Sequence, residues 1–168
     1  MKETKDLSFG LWQLLNRTTH LIYKARQKEL DRYGISMRSA AVLEVVNRLD
    51  SEATPARLSR QIFIERHSIS EQLTRMEKEG LIVKNRDEKK KNRIRVQATE
   101  KGDRLFHKAM RHESVSDIMS ELTPEEQHRL WLVLARLRER TLEILEMEKD
   151  DVYPPSDPEE LPDGAGGD

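Results

Sequence analysis

The strongest chemical signal in the sequence is a cluster of cations in one short stretch. Within twelve positions, and against only two acids, stand Lys84, Arg86, Lys89, Lys90, Lys91, Arg93 and Arg95. Such a cluster is suited to neutralising phosphate groups, with strongly salt-dependent binding. Taken alone, a charge run is more often the solvated tip of a loop. Because this one directly follows a helix with a polar outer face, its position favours a contact with nucleic acid.

The sequence offers little for catalysis or for metal binding. It contains no cysteine, which excludes thiol nucleophiles, thiolate metal ligands, disulfides and induction by thiol oxidation. The histidines form no His-x-x-x-His pair, and His107 and His112 are five residues apart, a spacing that places them on different faces of a helix. No phosphate-binding loop, nucleophile elbow or frame of paired carboxylates is found. We therefore predict a protein that is not an enzyme and holds neither cofactor nor metal.

The helix before the cations is predicted from about residue 65 or 66 to residue 79, with Gly80 closing it. Its inner stripe is formed by Ile69, Leu73 and Met76. Its outer face is expected to carry Arg66, Ser70, Gln72 and Arg75. An alternative start about one turn later is a capping box between Ser68 and Glu71.

The whole chain is predicted to form six helices and one hairpin. The helices are expected at residues 6–33, 36–50, 54–63, 65–79, 100–120 and 124–149, and the strands at 81–83 and 93–98. Helix starts are marked by the capping residues Ser36, Thr54, Thr99 and Thr123. A short helix, a tight connection, a polar helix and a hairpin, in this order, are typical of a winged helix-turn-helix. In that arrangement the second helix enters the major groove and the hairpin reaches phosphates or the minor groove.

Three stretches around the hairpin resemble the MarR family of bacterial regulators over roughly residues 7–149. They are the run Glu77-Lys78-Glu79-Gly80 followed by Leu81-Ile82, the basic hairpin itself, and the run Ala98-Thr99-Glu100-Lys101-Gly102. The resemblance implies a mainly α fold with a small β-hairpin wing, a winged helix-turn-helix core and long terminal dimerisation helices. It also implies binding to palindromic operators, usually as a repressor.

Carried over by position, the DNA contacts of the family fall on the recognition helix and on the wing. The recognition-helix set is Arg66, His67, Ser68, Ser70, Glu71, Gln72 and Arg75. The wing set is Lys89, Lys90, Lys91, Arg93 and Arg95. By chemistry, an arginine of the helix suits a guanine edge or a phosphate, Gln72 suits adenine, and Glu71 suits a cytosine amine or the orientation of a neighbouring arginine.

Two departures from the family pattern affect this transfer. Lys90, Lys91 and Asn92 stand where the family has an aspartate followed by two arginines, so the usual aspartate-oriented arginine is missing from the wing. The recognition helix opens with Glu65-Arg66-His67 in place of small residues and proline. The base preference of relatives therefore does not carry over.

The terminal helices have apolar stripes that one small winged domain lacks the surface to cover. In the last helix the stripe is close to a heptad seam and consists of Leu130, Leu134, Leu137, Thr141 and Ile144 or Leu145. In the first helix it includes Leu14, Leu15, Leu21 and Ile22. These stripes predict a homodimer, with packing inside one chain as the alternative. Two-fold symmetry would place two recognition helices about one DNA turn apart.

The formal net charge of −1 hides an asymmetry along the chain. Residues 150–168 hold seven acids and no Lys or Arg, which leaves 24 acids against 30 bases in residues 1–149. This proline- and glycine-rich tail is predicted to be disordered. It is interpreted either as a solubilising segment or as an intramolecular mimic of DNA that competes for the wing. The predicted organisation is one winged-helix domain at 1–149, with its winged core at about 36–98, and the acidic tail at 150–168.

The sequence thus predicts a cytoplasmic, homodimeric regulator that binds double-stranded palindromic operator DNA as a repressor. Residues 1–8 lack the apolar segment of a signal peptide, and no stretch approaches the roughly 20 apolar residues of a membrane helix. The resemblance also implies an unidentified small-molecule effector. Its pocket has the candidate lining residues Trp12, His20, Tyr23 and Met37, for which an ordinary core role is the alternative. The rival hypothesis is a helical interaction scaffold whose basic loop binds an acidic protein and is not sequence-specific for DNA.

Overall fold

The computed structural model describes residues 7–86 and 93–147, which form seven α-helices and one two-stranded antiparallel sheet. The helices are α1 Leu7–Asp31, α2 Met37–Leu49, α3 Pro55–Gln61, α4 Arg66–Lys78, α5 Glu100–Ala109, α6 Glu113–Met119 and α7 Pro124–Ile144. The strands are β1 Ile82–Arg86 and β2 Ile94–Ala98. A 3-10 turn, Asp50–Glu52, follows α2. The predicted mainly α fold with a hairpin wing is confirmed, whereas Lys89, Lys90, Lys91 and the acidic tail lie outside the described residues.

The predicted caps set the starts of four helices. Ser36, Thr54 and Thr99 each accept a hydrogen bond from the backbone N–H three residues further on, at 3.1, 3.3 and 3.1 Å. Thr123 and Glu126 form a reciprocal capping box at the start of α7. Each bond satisfies a donor that the first turn of a helix leaves open. The alternative capping box at Ser68 is not formed, because α4 already begins at Arg66.

The winged core is held together by one apolar cluster between α2, α3, α4 and the hairpin. Its fully buried members include Val42, Leu43, Leu58, Ile69, Leu73, Met76, Ile82 and Val96. The two strands pair from Ile82 opposite Ala98 to Arg86 opposite Ile94. The inner stripe predicted for the recognition helix is confirmed by this cluster.

Backbone contacts attach the hairpin to the segment before α3 and close its base in front of α5. Val96 N–H donates to the Ala53 carbonyl at 3.0 Å, and Thr99 N–H donates to the Leu81 carbonyl at 3.0 Å. A Cβ at Gly102 would lie 2.1 Å from the Leu81 carbonyl oxygen, so no larger residue fits there without a shift of the backbone. The glycine that follows the wing is thus explained by the close approach of α5 to the start of the hairpin.

The expectation of one continuous helix over residues 100–120 is wrong. The chain breaks after Ala109 and turns through His112 in the left-handed region (φ 49°) before α6 begins at Glu113. No local side chain caps α6. Instead, the carboxylate of Glu29 on α1 accepts hydrogen bonds from the N–H groups of Glu113 and Ser114, at 3.1 and 3.0 Å. A carboxylate 84 residues away in the chain therefore replaces the missing cap.

Glu29 belongs to a buried ion pair that joins α1 to this break. Arg26 and Glu29 are 4% and 2% exposed, and Arg26 Nη1 lies 2.6 Å from Glu29 Oε1. Arg26 also donates to the Ala109 carbonyl at the end of α5, and the Ser114 hydroxyl donates to Glu29. Burial raises the pKa of Glu29, but the hydrogen bonds from Ser114 and Arg26 together lower it to about 2.

The two terminal helices bury far fewer of their own side chains than the winged core does. The final helix ends at Ile144, so its predicted extension to about residue 149 is wrong, and α7 buries only Leu142. Along α1 every residue from Leu7 to Leu21 is exposed, and burial begins at Arg26. In the ranges 7–86 and 93–147, no helix combines the length and apolar character needed to cross a membrane.

Candidate nucleic-acid interface

The helix-turn-helix consists of α3, the turn at residues 62–65 and α4. The exposed side of α4 carries a row of polar side chains spaced four residues apart: Arg66, Ser70, Thr74 and Lys78. Within this row the Ser70 hydroxyl donates to the Arg66 carbonyl and the Thr74 hydroxyl to the Ser70 carbonyl, both at 2.9 Å. A shallow depression runs along the same side between Ser70 and Lys78. This face is large and polar enough to approach base edges and phosphates.

The remaining residues predicted at the start of α4 lie around this row. His67 and Glu71 are exposed, whereas Ser68 is half-buried. The Ser68 hydroxyl lies 3.2 Å from Nε2 of His67. Glu71 and Arg75 both line the depression, so a cation and a carboxylate face the same space.

The expectation that Gln72 lies on the outer face is wrong. Its side chain is buried (4% exposed), and its Nε2 donates to the Ser39 hydroxyl of α2 at 3.0 Å. The side-chain amide oxygen of Gln72, Oε1, accepts a hydrogen bond from Nη2 of Arg75, whose Nε also lies 3.9 Å from Glu79 Oε1. Gln72 therefore connects the core to an exposed arginine, and its geometry suits the positioning of Arg75 rather than a direct contact with adenine.

The first strand of the wing is attached to the recognition helix by an ion pair. Lys84 Nζ lies 2.8 Å from Glu77 Oε2, and the Lys84 backbone N–H donates to the other carboxylate oxygen at 3.3 Å. The hydrogen bond from the Lys84 side chain lowers the pKa of Glu77. This contact fixes the direction in which the hairpin leaves α4.

The second strand is attached to the turn before α3 through Glu52. Arg93 Nη2 lies 2.7 Å and Arg57 Nη1 3.2 Å from Glu52 Oε2. The hydrogen bond from Arg93 lowers the pKa of Glu52. Arg93 directly precedes β2, and Arg95 is half-buried within β2, opposite Asn85. Arg93 is thus engaged at the base of the wing by a carboxylate from another segment, Glu52.

The structure adds three cationic or polar residues to the predicted set, and three predicted residues of the wing lie outside the part of the chain that it describes. Thr74 and Lys78 share the exposed row of α4, and their spacing of four from Ser70 is a signal that the sequence already contains. Arg57 is brought to Arg93 only by the fold, because 36 residues separate them in the sequence. Lys89, Lys90 and Lys91 lie outside the described residues, so their placement at the wing tip stays a prediction.

Other predicted sites are not assembled in the described part of the single chain. Trp12, His20 and Tyr23 are exposed along α1 and are not buried in the core, while Met37 is half-buried against the apolar cluster of the winged core. Among residues 7–86 and 93–147, no group of three or more His, Asp or Glu side chains is placed to hold a metal ion.

Comparison with known proteins agrees with this geometry. Residues 35–102 match a family model described as a winged helix DNA-binding domain. The chain is 33% identical to the organohalide-sensing RdhR-CbdbA1625 transcriptional regulator, whose structure bound to 2,4-dichlorophenol it matches with a TM-score of 0.78 over 90% of this chain and 91% of that one. It is 24% identical over 127 residues to the HTH-type transcriptional regulator PecS of Dickeya dadantii (strain 3937), which covers 73% of this chain and 76% of PecS.

A further solved structure has the same fold at low sequence identity. AbsC, a MarR family transcriptional regulator from Streptomyces coelicolor, is 20% identical and matches with a TM-score of 0.73 over 84% of this chain and 98% of its own. The residues that approach one another around α4 and the hairpin lie within or next to the matched winged-helix region. The chain belongs to the MarR family of transcriptional regulators and carries a winged-helix DNA-binding domain.

Proposed function

We propose that the protein is a homodimeric repressor that recognises a palindromic operator. The observation that carries this proposal is the contrast between a covered winged core and the exposed apolar side chains of α1 and α7. These exposed side chains are named here the terminal surface, and they include Leu7, Leu11, Trp12, Leu14, Leu15, Leu21, Leu130, Leu134 and Leu137. Soluble monomers rarely expose so many apolar side chains together, so such a surface marks an interface.

A second copy of the chain is the partner that best fits the terminal surface. Both helices are long, at 25 and 21 residues. Helices in proteins gain most of their stability from packing of an apolar face against a partner surface. A closed two-fold pair covers the same surface on both copies. It would also present two recognition helices to one side of the duplex, about 34–36 Å apart.

The DNA contacts are proposed for the exposed side of α4 and for the wing. On α4 they comprise Arg66, His67, Ser70, Glu71, Thr74, Arg75 and Lys78, with Ser68 at the edge. On the wing they comprise Lys89, Lys90 and Lys91, with Arg93 and Arg95 at its base. Arginine and lysine bind guanine edges and phosphates, and serine and threonine bind either phosphates or bases. Gln72 is assigned to the positioning of Arg75.

The regulation proposed is release of the operator by a small-molecule effector. The relative RdhR-CbdbA1625 is organohalide-sensing and has been crystallised with 2,4-dichlorophenol, which supports a weakly polar aromatic ligand class. In this chain a cleft of about 360 Å³ lies between the α1–α2 connection, the end of α4 and α5. Tyr33, Leu81 and Leu105 line it together with Lys101, Arg104 and Lys108. An effector bound there would contact the connection that follows α1 and the segment that follows the recognition helix. The relative placement of these two helices would set the spacing of the two half-sites.

Protection mapping on the DNA that flanks the protein's own gene tests this function, with excess random duplex as competitor. We expect a protected inverted repeat, because a two-fold dimer reads two equivalent half-sites. Transcription in vitro from a promoter that overlaps the repeat is expected to fall as protein is added. Salt-sensitive binding that leaves no protected site would indicate a remote operator or non-specific binding. No binding even at low salt would favour the interaction scaffold over the sequence-specific regulator.

A further inference from the structure

The turn between α3 and α4 contains a residue whose conformation is unfavourable for its type. Phe63 has a φ of 53°, in the left-handed region where a Cβ crowds the backbone. Among the described residues, the non-glycine residues with positive φ are Asp50, Phe63, His112 and Glu146. Phe63 is the apolar member of this group, so its backbone strain needs an explanation that a polar turn residue does not.

The left-handed conformation at this position is required by the way α3 ends. Ile62 caps the helix, and Phe63 N–H then donates to the Arg60 carbonyl at 3.3 Å while Ile64 N–H donates to the Ser59 carbonyl at 3.0 Å. The Ser59 hydroxyl also donates to the Ile64 carbonyl, at 2.6 Å. These bonds form a Schellman motif, which normally places glycine at the residue occupied here by Phe63.

Packing within the chain does not account for the phenylalanine. Its side chain is 58% exposed, whereas the neighbouring Ile62 and Ile64 are partly buried against the core cluster. The terminal surface does not account for it either, because Phe63 lies in the winged core and not on α1 or α7. Because most of this residue is exposed and its backbone is strained, Phe63 contributes little to packing within the single chain.

The position of Phe63 in the fold and its neighbours in the sequence suit contact with a DNA strand. The turn lies at the N-terminal end of the recognition helix, which is the end that contacts bases while the preceding helix crosses the backbone. Arg60 lies three residues before Phe63, and Arg66 and His67 follow it within four residues. The carboxylate of Glu65 also lies between Phe63 and Arg66, so the two arginines leave this stretch with a net positive charge. An apolar ring with an arginine before and after it in the chain can complement a strand in which charged phosphates alternate with apolar deoxyribose faces.

We propose that Phe63 is a DNA-contacting residue whose ring packs against a deoxyribose or an exposed base face at the edge of each half-site. The proposal rests on the DNA-binding function argued above and adds to it an apolar contact outside α4 and the wing. Strain of this kind is found where function, rather than folding, selects the residue.

The test compares full-length wild-type protein with Phe63→Gly on the duplex found by protection mapping. Glycine suits the left-handed turn, so the variant is expected to unfold at a temperature equal to or a few degrees above that of wild type. Its affinity for the duplex is expected to fall about tenfold, because an apolar contact is lost. The slope of log affinity against log salt is expected to stay unchanged, whereas loss of one phosphate contact would lower it by about 0.9.

Two further variants make the result specific. Asp50→Gly relieves positive φ at another turn and is expected to leave DNA affinity unchanged. Phe63→Tyr keeps the ring and is expected to keep most of the affinity. Wild-type affinity in Phe63→Gly, or a loss accompanied by a lower salt slope, contradicts the proposal while the DNA-binding function stands. A wild-type protein that protects no specific duplex contradicts the function and the contact together.

Discussion

The winged core and the terminal helices are built from the same kind of amphipathic helix but differ in what covers them. In the core, the stripes of α2 and α4 meet the hairpin, and residues such as Leu43 and Leu73 are completely enclosed. On α7 the leucines of the stripe remain exposed, as do the apolar residues of α1 up to Leu21. The same helical periodicity is therefore present in both regions, but only in the core does the chain itself cover the apolar face.

The two regions meet at the Arg26–Glu29 pair. On the N-terminal side of this pair α1 is exposed, and on its C-terminal side Leu30 joins the core. Through Ala109 and Ser114 the same pair holds both sides of the break between α5 and α6. It is the structural joint between the unit that reads DNA and the surface proposed to form the dimer.

The largest effect is expected from a charge placed on the terminal surface. Leu134→Asp would put one carboxylate from each copy into an apolar interface, at a cost of several kcal/mol per ion. We expect the dimer to dissociate at micromolar concentration in sedimentation velocity, while the helical content of the chain is kept. His128→Asp, on the opposite side of α7 from Leu130, is the matched control and should sediment like wild type. A Leu134→Asp protein that remains dimeric would place the interface elsewhere.

The next largest effect is expected at the joint itself. Glu29→Ala leaves the buried Arg26 without its partner and removes the cap of α6, which is expected to lower the free energy of unfolding by about 3–5 kcal/mol. Denaturant titration measures this loss. Glu113→Ala, which removes an exposed carboxylate paired with Arg32, is expected to cost less than about 1 kcal/mol. Similar losses in the two variants would show that the pair does not hold the joint.

A pH dependence follows from the same carboxylate. The pKa of Glu29 is about 2 in the folded chain against an ordinary value of 4.5, so its contribution is complete above pH 4.5 and is lost as the pH falls towards 2. The loss amounts to about 3 kcal/mol. Burial and Arg26 lower the pKa of His112, whose contribution is instead lost as the pH falls below its ordinary 6.5. Unfolding titrations in Glu29→Gln should lack the lower step only, and an unchanged lower step would assign it to other acids.

The smallest effect is expected at the base of the wing. Glu52→Gln makes the protein more positive, which by charge alone would tighten DNA binding. If Glu52 positions Arg93, operator affinity should instead fall about three- to fivefold with little change in thermal stability. Glu121→Gln, at the connection between α6 and α7, adds the same charge away from the wing and should not weaken binding. Tighter binding by Glu52→Gln would mean that the carboxylate only repels phosphate.

The fold could be predicted wherever the signal is local. Ser36, Thr54, Thr99 and Thr123 cap helices because each side chain reaches an N–H three residues away, a distance that the sequence itself fixes. The inner stripe of α4 is equally local, since helical periodicity alone places Leu73 in the core.

Several details that prediction missed involve a partner that is remote in the sequence. Glu29 caps α6 after the break, Ser39 accepts a hydrogen bond from Gln72, and Glu52 engages Arg93. None of these pairs has a spacing that marks it, because the tertiary fold brings the two residues together. The burial of Gln72 itself follows the helical periodicity, because Gln72 lies three residues after Ile69 and four before Met76. The sequence was thus enough to predict that the candidate site consists of a helix and a wing. It was not enough to predict which of the polar side chains there are already engaged within the chain.

The symmetry of the preferred DNA site tests most directly whether the two regions act as one dimeric reader. Full-length protein would be used to select duplexes from a random pool at moderate salt, and the bound fraction would be sequenced. We predict enrichment of an inverted repeat whose half-site centres are about 10–10.5 base pairs, or a multiple of this, apart. Enrichment of a single unrepeated site, or of no sequence at all, would contradict the account.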